Sequence, residues 1–170
     1  MFDRYAGDND TELKPEEKFY FAEDGKSLVI PSQNILGMLA SNFYKCATKI
    51  KYGRGHSAKA DVVQGFVDID PMMVPFTAHG KNVVFKKWND PIYEDFSVAR
   101  IKKTAQQIIP NPKHRPVLNC PWELEFNVSI LPNDQISEKD LKDLFEVGGL
   151  YVGIGTWRGR YGKCVVDIWE

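Results

Sequence analysis

Trp122-Glu123-Leu124-Glu125-Phe126-Asn127-Val128-Ser129-Ile130 alternates apolar and polar residues without a break. Side chains leave a strand on alternate sides, so a period of two predicts a strand with one buried face and one wet face. Downstream, Ser137 caps a helix, with Asp140 at its third position as the partner in a capping box. Leu141, Leu144 and Phe145 form the buried stripe of that helix, and Gly148-Gly149 end it. After a glycine-rich loop, Cys164, Val166 and Ile168 alternate with Val165, Asp167 and Trp169, which predicts a last strand.

Upstream the same elements occur in reverse proportion. Phe19 to Ala22 and Ser27 to Ile30 flank Glu23-Asp24-Gly25-Lys26, and Asp-Gly between apolar runs predicts a hairpin. Pro31-Ser32 ends the second strand, and Ser32 or Asn34 caps a helix. Ile35, Met38, Leu39, Phe43, Cys46, Ala47 and Ile50 give that helix one apolar face. A loop follows at Tyr52 to Ser57, then a strand over Val62 to Ile69. Residues 70–95 are broken by Pro71, Pro75, Gly80 and Pro91, with short strands at Met72 to Val74 and Asn82 to Phe85. Phe96 to Thr104 reads as a strand at an edge or in a protruding hairpin. Pro110, Pro112 and Pro116 predict an extended loop. The order strand, helix, strand, insertion, strand, helix, strand is that of an α+β, ferredoxin-like (split βαβ) domain. It carries an inserted irregular or β-hairpin region at about 70–119. The expected organisation is an acidic arm at 1–18 and a single domain at 19–170.

Composition is that of a globular chain: 43% hydrophobic and 26% charged residues exclude extensive disorder. No apolar run reaches the roughly 18 residues of a membrane span, and no signal segment is visible. Cys46, Cys120 and Cys164 are widely spaced and odd in number, which fits packing roles in a reducing cytoplasm. The net charge is −1, but it is segregated. Residues 1–24 hold eight acids against three bases, and the rest of the chain holds 15 acids against 19 bases. Three runs are free of acids: Lys49 to Lys59, Arg100 to Arg115, and Arg158 to Lys163. Such clustering predicts a basic surface on a nearly neutral protein.

The segment from Gly148 to Lys163 has six glycines in sixteen residues. Glycines permit positive φ angles and close backbone approach to a ligand. Interleaved Trp157, Arg158, Arg160 and Tyr161 add flat surfaces that stack on bases and guanidinium groups that grip phosphates. No Gly-Lys-Ser/Thr follows, so this is not a Walker loop, and no strand leads into a Gly-x-Gly-x-x-Gly.

Two stretches resemble the RAMP superfamily, the RNA-binding proteins of CRISPR effector complexes. Gly153-Ile154-Gly155, closed by Gly162, is similar to that family's glycine-rich loop before the last strand, with one residue more between the glycines. Ile30-Pro31-Ser32-Gln33-Asn34-Ile35-Leu36-Gly37 resembles its Ile-Pro-Gly-Ser-Ser-Leu-Lys-Gly stretch at the start of the first helix. Here Ser32 replaces a glycine and Leu36 stands where lysine is common. The chain also looks like RAMP-like proteins of phage genomes. The resemblance implies binding to the backbone of single-stranded RNA, or DNA, with copies of the chain or RAMP-type subunits stacked head to tail.

Free N–H groups at Ser32 and Asn34 favour a phosphate at the helix start, and Lys51, Arg54 and His56 continue the track. Lys102, Lys103 and Arg115 in the insertion are set to act like the family's protruding thumb. With Gly153, Gly155, Trp157, Arg158, Arg160 and Tyr161, these are the expected nucleic-acid contacts. Trp88, beside Lys86 and Lys87, reads either as a base-stacking residue or as packing under the insertion. Trp122 belongs to the core, and His79 is a loop residue. Trp169 reads as covering an exposed sheet surface or meeting a neighbouring subunit.

Some RAMP proteins cut RNA, either with a carboxylate before the Ile-Pro segment or with a histidine. Asp24 and His114 are the candidates for such an endoribonuclease, although Asp24 before Gly25 reads more simply as a turn residue. A third reading is a phage interaction protein that mimics or blocks a RAMP subunit. Histidines and cysteines lack metal-ligand spacing, so no metal or cofactor is expected. No acyl-transfer signature is present. Binding without catalysis is the leading expectation.

Overall fold

The computed structural model describes residues 13–40, 59–102, 108–156 and 161–170. The chain is a mixed α+β protein with several antiparallel sheets. It divides into two compact units. Unit 1 comprises residues 1–28 and 76–123, and unit 2 comprises residues 29–75 and 124–170. No helix among the described residues is long and apolar enough to cross a membrane.

β2 (Leu28–Pro31), which enters unit 2 at Val29, runs into α1 (Ser32–Leu39). Val29, Ile30 and Pro31 pair with Pro75, Val74 and Met73 of β4 (Met73–Ala78). Pro31 is the N-cap of α1, and no side chain caps the helix. Ser32, expected as a cap, is instead its first residue, with its N–H on the Met72 carbonyl at 2.8 Å. Ile35, Leu36, Met38 and Leu39 bury the inner face.

The strand expected over 62–69 is corrected. Lys59–Phe66 is helix α2, and only Val67–Asp70 is strand β3. Val62 and Val63 are both buried, and with half-buried Phe66 they follow helical spacing, so packing overrides the β preference of valine. β3 pairs antiparallel with β9 (Asn127–Ile130), from Val67 opposite Ile130 to Asp70 opposite Asn127. The alternation from Trp122 to Ile130 persists in burial, but it is split between β8 (Glu123–Leu124) and β9.

α3 (Glu138–Tyr151) begins with the expected capping box. Ser137 Oγ accepts from the Asp140 N–H at 3.2 Å, and the Asp140 carboxylate accepts from the Ser137 N–H at 3.0 Å. The helix does not stop at Gly148-Gly149 but continues to Tyr151. The segment after Gly162, expected as a last strand, pairs in no ladder among the described residues. Trp169 packs edge-on against Phe145 at 5.7 Å and donates to Glu138 Oε1 at 3.0 Å. Leu141, Leu144 and Phe145 form the buried stripe, as their spacing requires.

In unit 1, a short 3-10 helix (Pro15–Lys18) precedes β1 (Tyr20–Phe21). Thr77 and Ala78 pair with Asn82 and Lys81, the latter two forming β5. His79 and Gly80 between them both have positive φ, the conformation of a two-residue hairpin turn. Phe19, Phe85 and Trp88 pack as an aromatic cluster with ring centres 4.8 to 5.7 Å apart.

The largest element of unit 1 is a hairpin of β6 (Ile92–Lys102) and β7 (Ile108–Leu118), in register from Ile92 opposite Leu118 to Lys102 opposite Ile108. The loop expected at Pro110 to Pro116 is therefore a strand, and parity explains why proline is tolerated. Pro110, Pro112 and Pro116 are all even-numbered and stand opposite Arg100, Val98 and Glu94. In an antiparallel ladder every second residue directs its N–H away from the partner strand, so one parity needs no donor. The even residues are the outward ones. The Ile92 N–H donates away from β7, to the Asn89 carbonyl at 2.8 Å. The His114 carbonyl accepts from Lys18 Nζ at 2.6 Å.

Candidate nucleic-acid interface

The glycine-rich segment of unit 2 is built on the end of α3. Gly148 lies against Met38 of α1, where a Cβ would come within 3.2 Å of the Met38 side chain. A Cβ on Gly149 would collide with the Cys164 carbonyl. That contact is fixed by the Cys164 N–H, which donates to the Gly149 carbonyl at 3.2 Å. These two glycines serve packing. Burial pushes the Cys164 thiol up from its ordinary pKa.

Gly153, Gly155 and Gly162 all have positive φ, the left-handed region that disfavours a side chain. The Ile154 N–H donates to the Gly162 carbonyl at 2.9 Å, and a Cβ on Gly162 would collide with the Ile154 carbonyl. Val152 and Ile154 are buried beneath this crossing. The two ends of the loop are therefore tied together by main chain, which only glycine at 162 permits. Between the tied ends the sequence supplies Trp157, Arg158 and Arg160, which lie outside the described residues. Tyr161, half-buried, stands at the return.

At the start of α1, Ser32 is buried and Asn34 half-buried. The Ser32 N–H is held by Met72, and in the same first turn the N–H groups of Gln33 and Asn34 lack an intrahelical acceptor. Lys51, Arg54, His56 and Lys103 lie outside the described residues. Lys102 is the last residue of β6, opposite Ile108.

The remaining candidates lie in unit 1. Arg115 is only 8% exposed and stands opposite Asp95, so it is a core guanidinium of the hairpin rather than a surface grip. His114 Nε2 lies 3.2 Å from Glu94 Oε1, and its ring packs edge-on against Phe96 at 5.6 Å. Asp24 accepts from the N–H groups of Lys26 and Ser27, both at 2.8 Å, and from the Ser27 hydroxyl at 2.5 Å. The Ser27 hydroxyl, then these N–H groups, hold its carboxyl below the usual carboxylate range. This is an Asx turn closing the first hairpin. Trp88 stacks on Phe19 and donates to Glu16 Oε1 at 3.0 Å, so it is packed. Backbone and Trp88 hydrogen bonds hold the Glu16 carboxyl low. Trp122 is half-buried, edge-on to Phe76 at 5.7 Å. No group of three or more potential metal ligands occurs among the described residues.

One feature escaped the sequence. Lys18 looks like one more charge on a polar arm, yet it is 1% exposed with its ammonium on the His114 carbonyl. For Lys18 the deciding neighbour, the His114 carbonyl, is remote in sequence. Phe96 and Val98 fall in the stretch read as an edge strand or protruding hairpin, and they are 71% and 55% exposed on β6.

No family model matches this chain, and no curated protein matches it either.

Proposed function

We propose that the protein binds single-stranded nucleic acid, RNA in preference to DNA, without reading its sequence. In this reading the scaffold is a ferredoxin-like domain of RAMP type, and copies follow one another head to tail along the strand. The supporting observation is the tied glycine loop after α3. Its ends are fixed by the Ile154–Gly162 hydrogen bond and by glycines in conformations that other residues resist. The interval holds an indole and two guanidinium groups, the side chains that stack on bases and bind phosphates. The first turn of α1, in the same unit, adds main-chain donors. Arg115 takes no part, being buried, and Asp24 is committed to its turn.

Fluorescence anisotropy with labelled RNA and DNA of about 30 nucleotides, across a salt series, tests the reading. Tight, salt-sensitive binding with RNA favoured is the expected result. Arg158→Ala with Arg160→Ala should weaken binding and flatten the log–log salt slope by about 1.4, the release expected for two single-strand phosphate contacts. An unchanged slope in the double variant removes the loop from the interface. Absence of binding at low salt removes the function.

A further inference from the structure

The two edges of the β6–β7 hairpin are treated differently. On β7, three prolines occupy outward positions, and Lys18 takes the outward carbonyl of His114. Proline and a capping side chain are the usual guards against strand addition. On β6 there is no proline, and among the described residues no strand lies along its outer edge. The outward positions from Glu94 to Arg100 are Glu94, Phe96, Val98 and Arg100. Phe96 and Val98 are exposed there, side by side.

The order of residues along β6 is self-complementary. We propose that β6 pairs antiparallel with β6 of a second copy, about a two-fold axis at Ser97, making a four-stranded sheet from two hairpins. That register sets Glu94 opposite the partner subunit's Arg100, and Phe96 opposite the partner subunit's Val98. Each pairing occurs twice by symmetry, as an isologous contact requires. Opposite charges and an aromatic against a β-branched residue are the favourable cross-strand pairs. The parity also agrees. The outward N–H and C=O groups of the even residues become the hydrogen-bonded pairs, and Ser97 falls at a close, non-hydrogen-bonded pair. Ser97 Oγ is one of two buried side-chain polar atoms without a partner among the described residues, and this register puts its own copy across the axis. A shift of the axis by one residue would set Phe96 against itself and Glu94 against Val98, or Val98 against itself and Phe96 against Arg100. The contact closes on two copies and does not rest on the nucleic-acid reading.

Sedimentation velocity of the full chain over a concentration series should show a monomer–dimer equilibrium. Glu94→Arg should raise the dimer dissociation constant about tenfold by setting like charges opposite each other twice. Glu94→Arg with Arg100→Glu should restore it. Val98→Pro offers a second route, since its N–H is not needed by β7, and it should also abolish the dimer. Ser97→Cys should give a disulfide-linked dimer on mild oxidation, well above the parent chain, because paired strands at such a site fall within disulfide reach. A chain that stays monomeric overturns the proposal. So does a dimer indifferent to both the charge reversal and Val98→Pro, or a Ser97→Cys chain that crosslinks no more than its parent.

Discussion

The carboxylate of Asp24 accepts from two main-chain N–H groups and one hydroxyl within three residues of itself. Protonation removes acceptor strength from all three. Its pKa is depressed in the folded chain, so the stability it confers is present above the unfolded value of about 3.9 and is lost as pH falls through the lower folded value. Asp24→Asn should therefore be less stable than the parent near neutral pH, with the gap narrowing below about pH 4. Thermal unfolding at a series of pH values measures this, and a gap independent of pH would show that the charge contributes nothing. The turn is legible from Asp24-Gly25 because all its partners lie within three residues. The burial of Lys18 is not legible, because the acceptor that permits it is 96 positions away. A buried ammonium is tolerable only with such a partner.

At the scale of the element, α3 separates two uses of glycine that the sequence writes identically. Gly148 faces the flexible Met38 side chain, whereas Gly149 faces the main chain at Cys164. Alanine favours a helix by up to about 1 kcal/mol over glycine. Gly148→Ala should consequently fall within about 1 kcal/mol of neutral, as a small shift of Met38 offsets the gain. Gly149→Ala meets the main chain of Cys164, whose N–H is held on the Gly149 carbonyl, and it should cost about 1–3 kcal/mol. Equal effects in denaturant unfolding would refute the distinction. The same helix shows why its start was legible and its end was not. The Ser137–Asp140 box is local, but continuation through Gly148-Gly149 depends on α1 and Cys164. Likewise the prolines of β7 read as a loop until their shared parity is set against β6, and Val62-Val63 read as strand until the packing of α2 on α1 and β3 is known.

For the whole molecule, each compact unit is assembled from two separated stretches of chain, an arrangement with no local signature. What does survive at this scale without any contact being known is charge. Residues 1–12 carry Asp3, Asp8, Asp10 and Glu12 against Arg4, a net −3, so the remaining chain is +2 where the whole is −1. A polyanion approaching the protein meets that field before it meets any contact. Removing residues 1–12 should strengthen single-stranded RNA binding several-fold at low salt, through a faster association rate, and the gain should vanish when the screening length falls to about 3 Å near 1 M salt. The cut must stop there. Glu16 accepts from Trp88 at the surface and buried Lys18 holds β7, so a deletion through residue 18 should destabilise the chain instead. Stopped-flow association measured across ionic strength distinguishes the outcomes. A faster association that survives high salt would mean that the arm covers the site sterically. A slower one would mean that residues 1–12 contribute to binding and that the segregation of charge has another purpose.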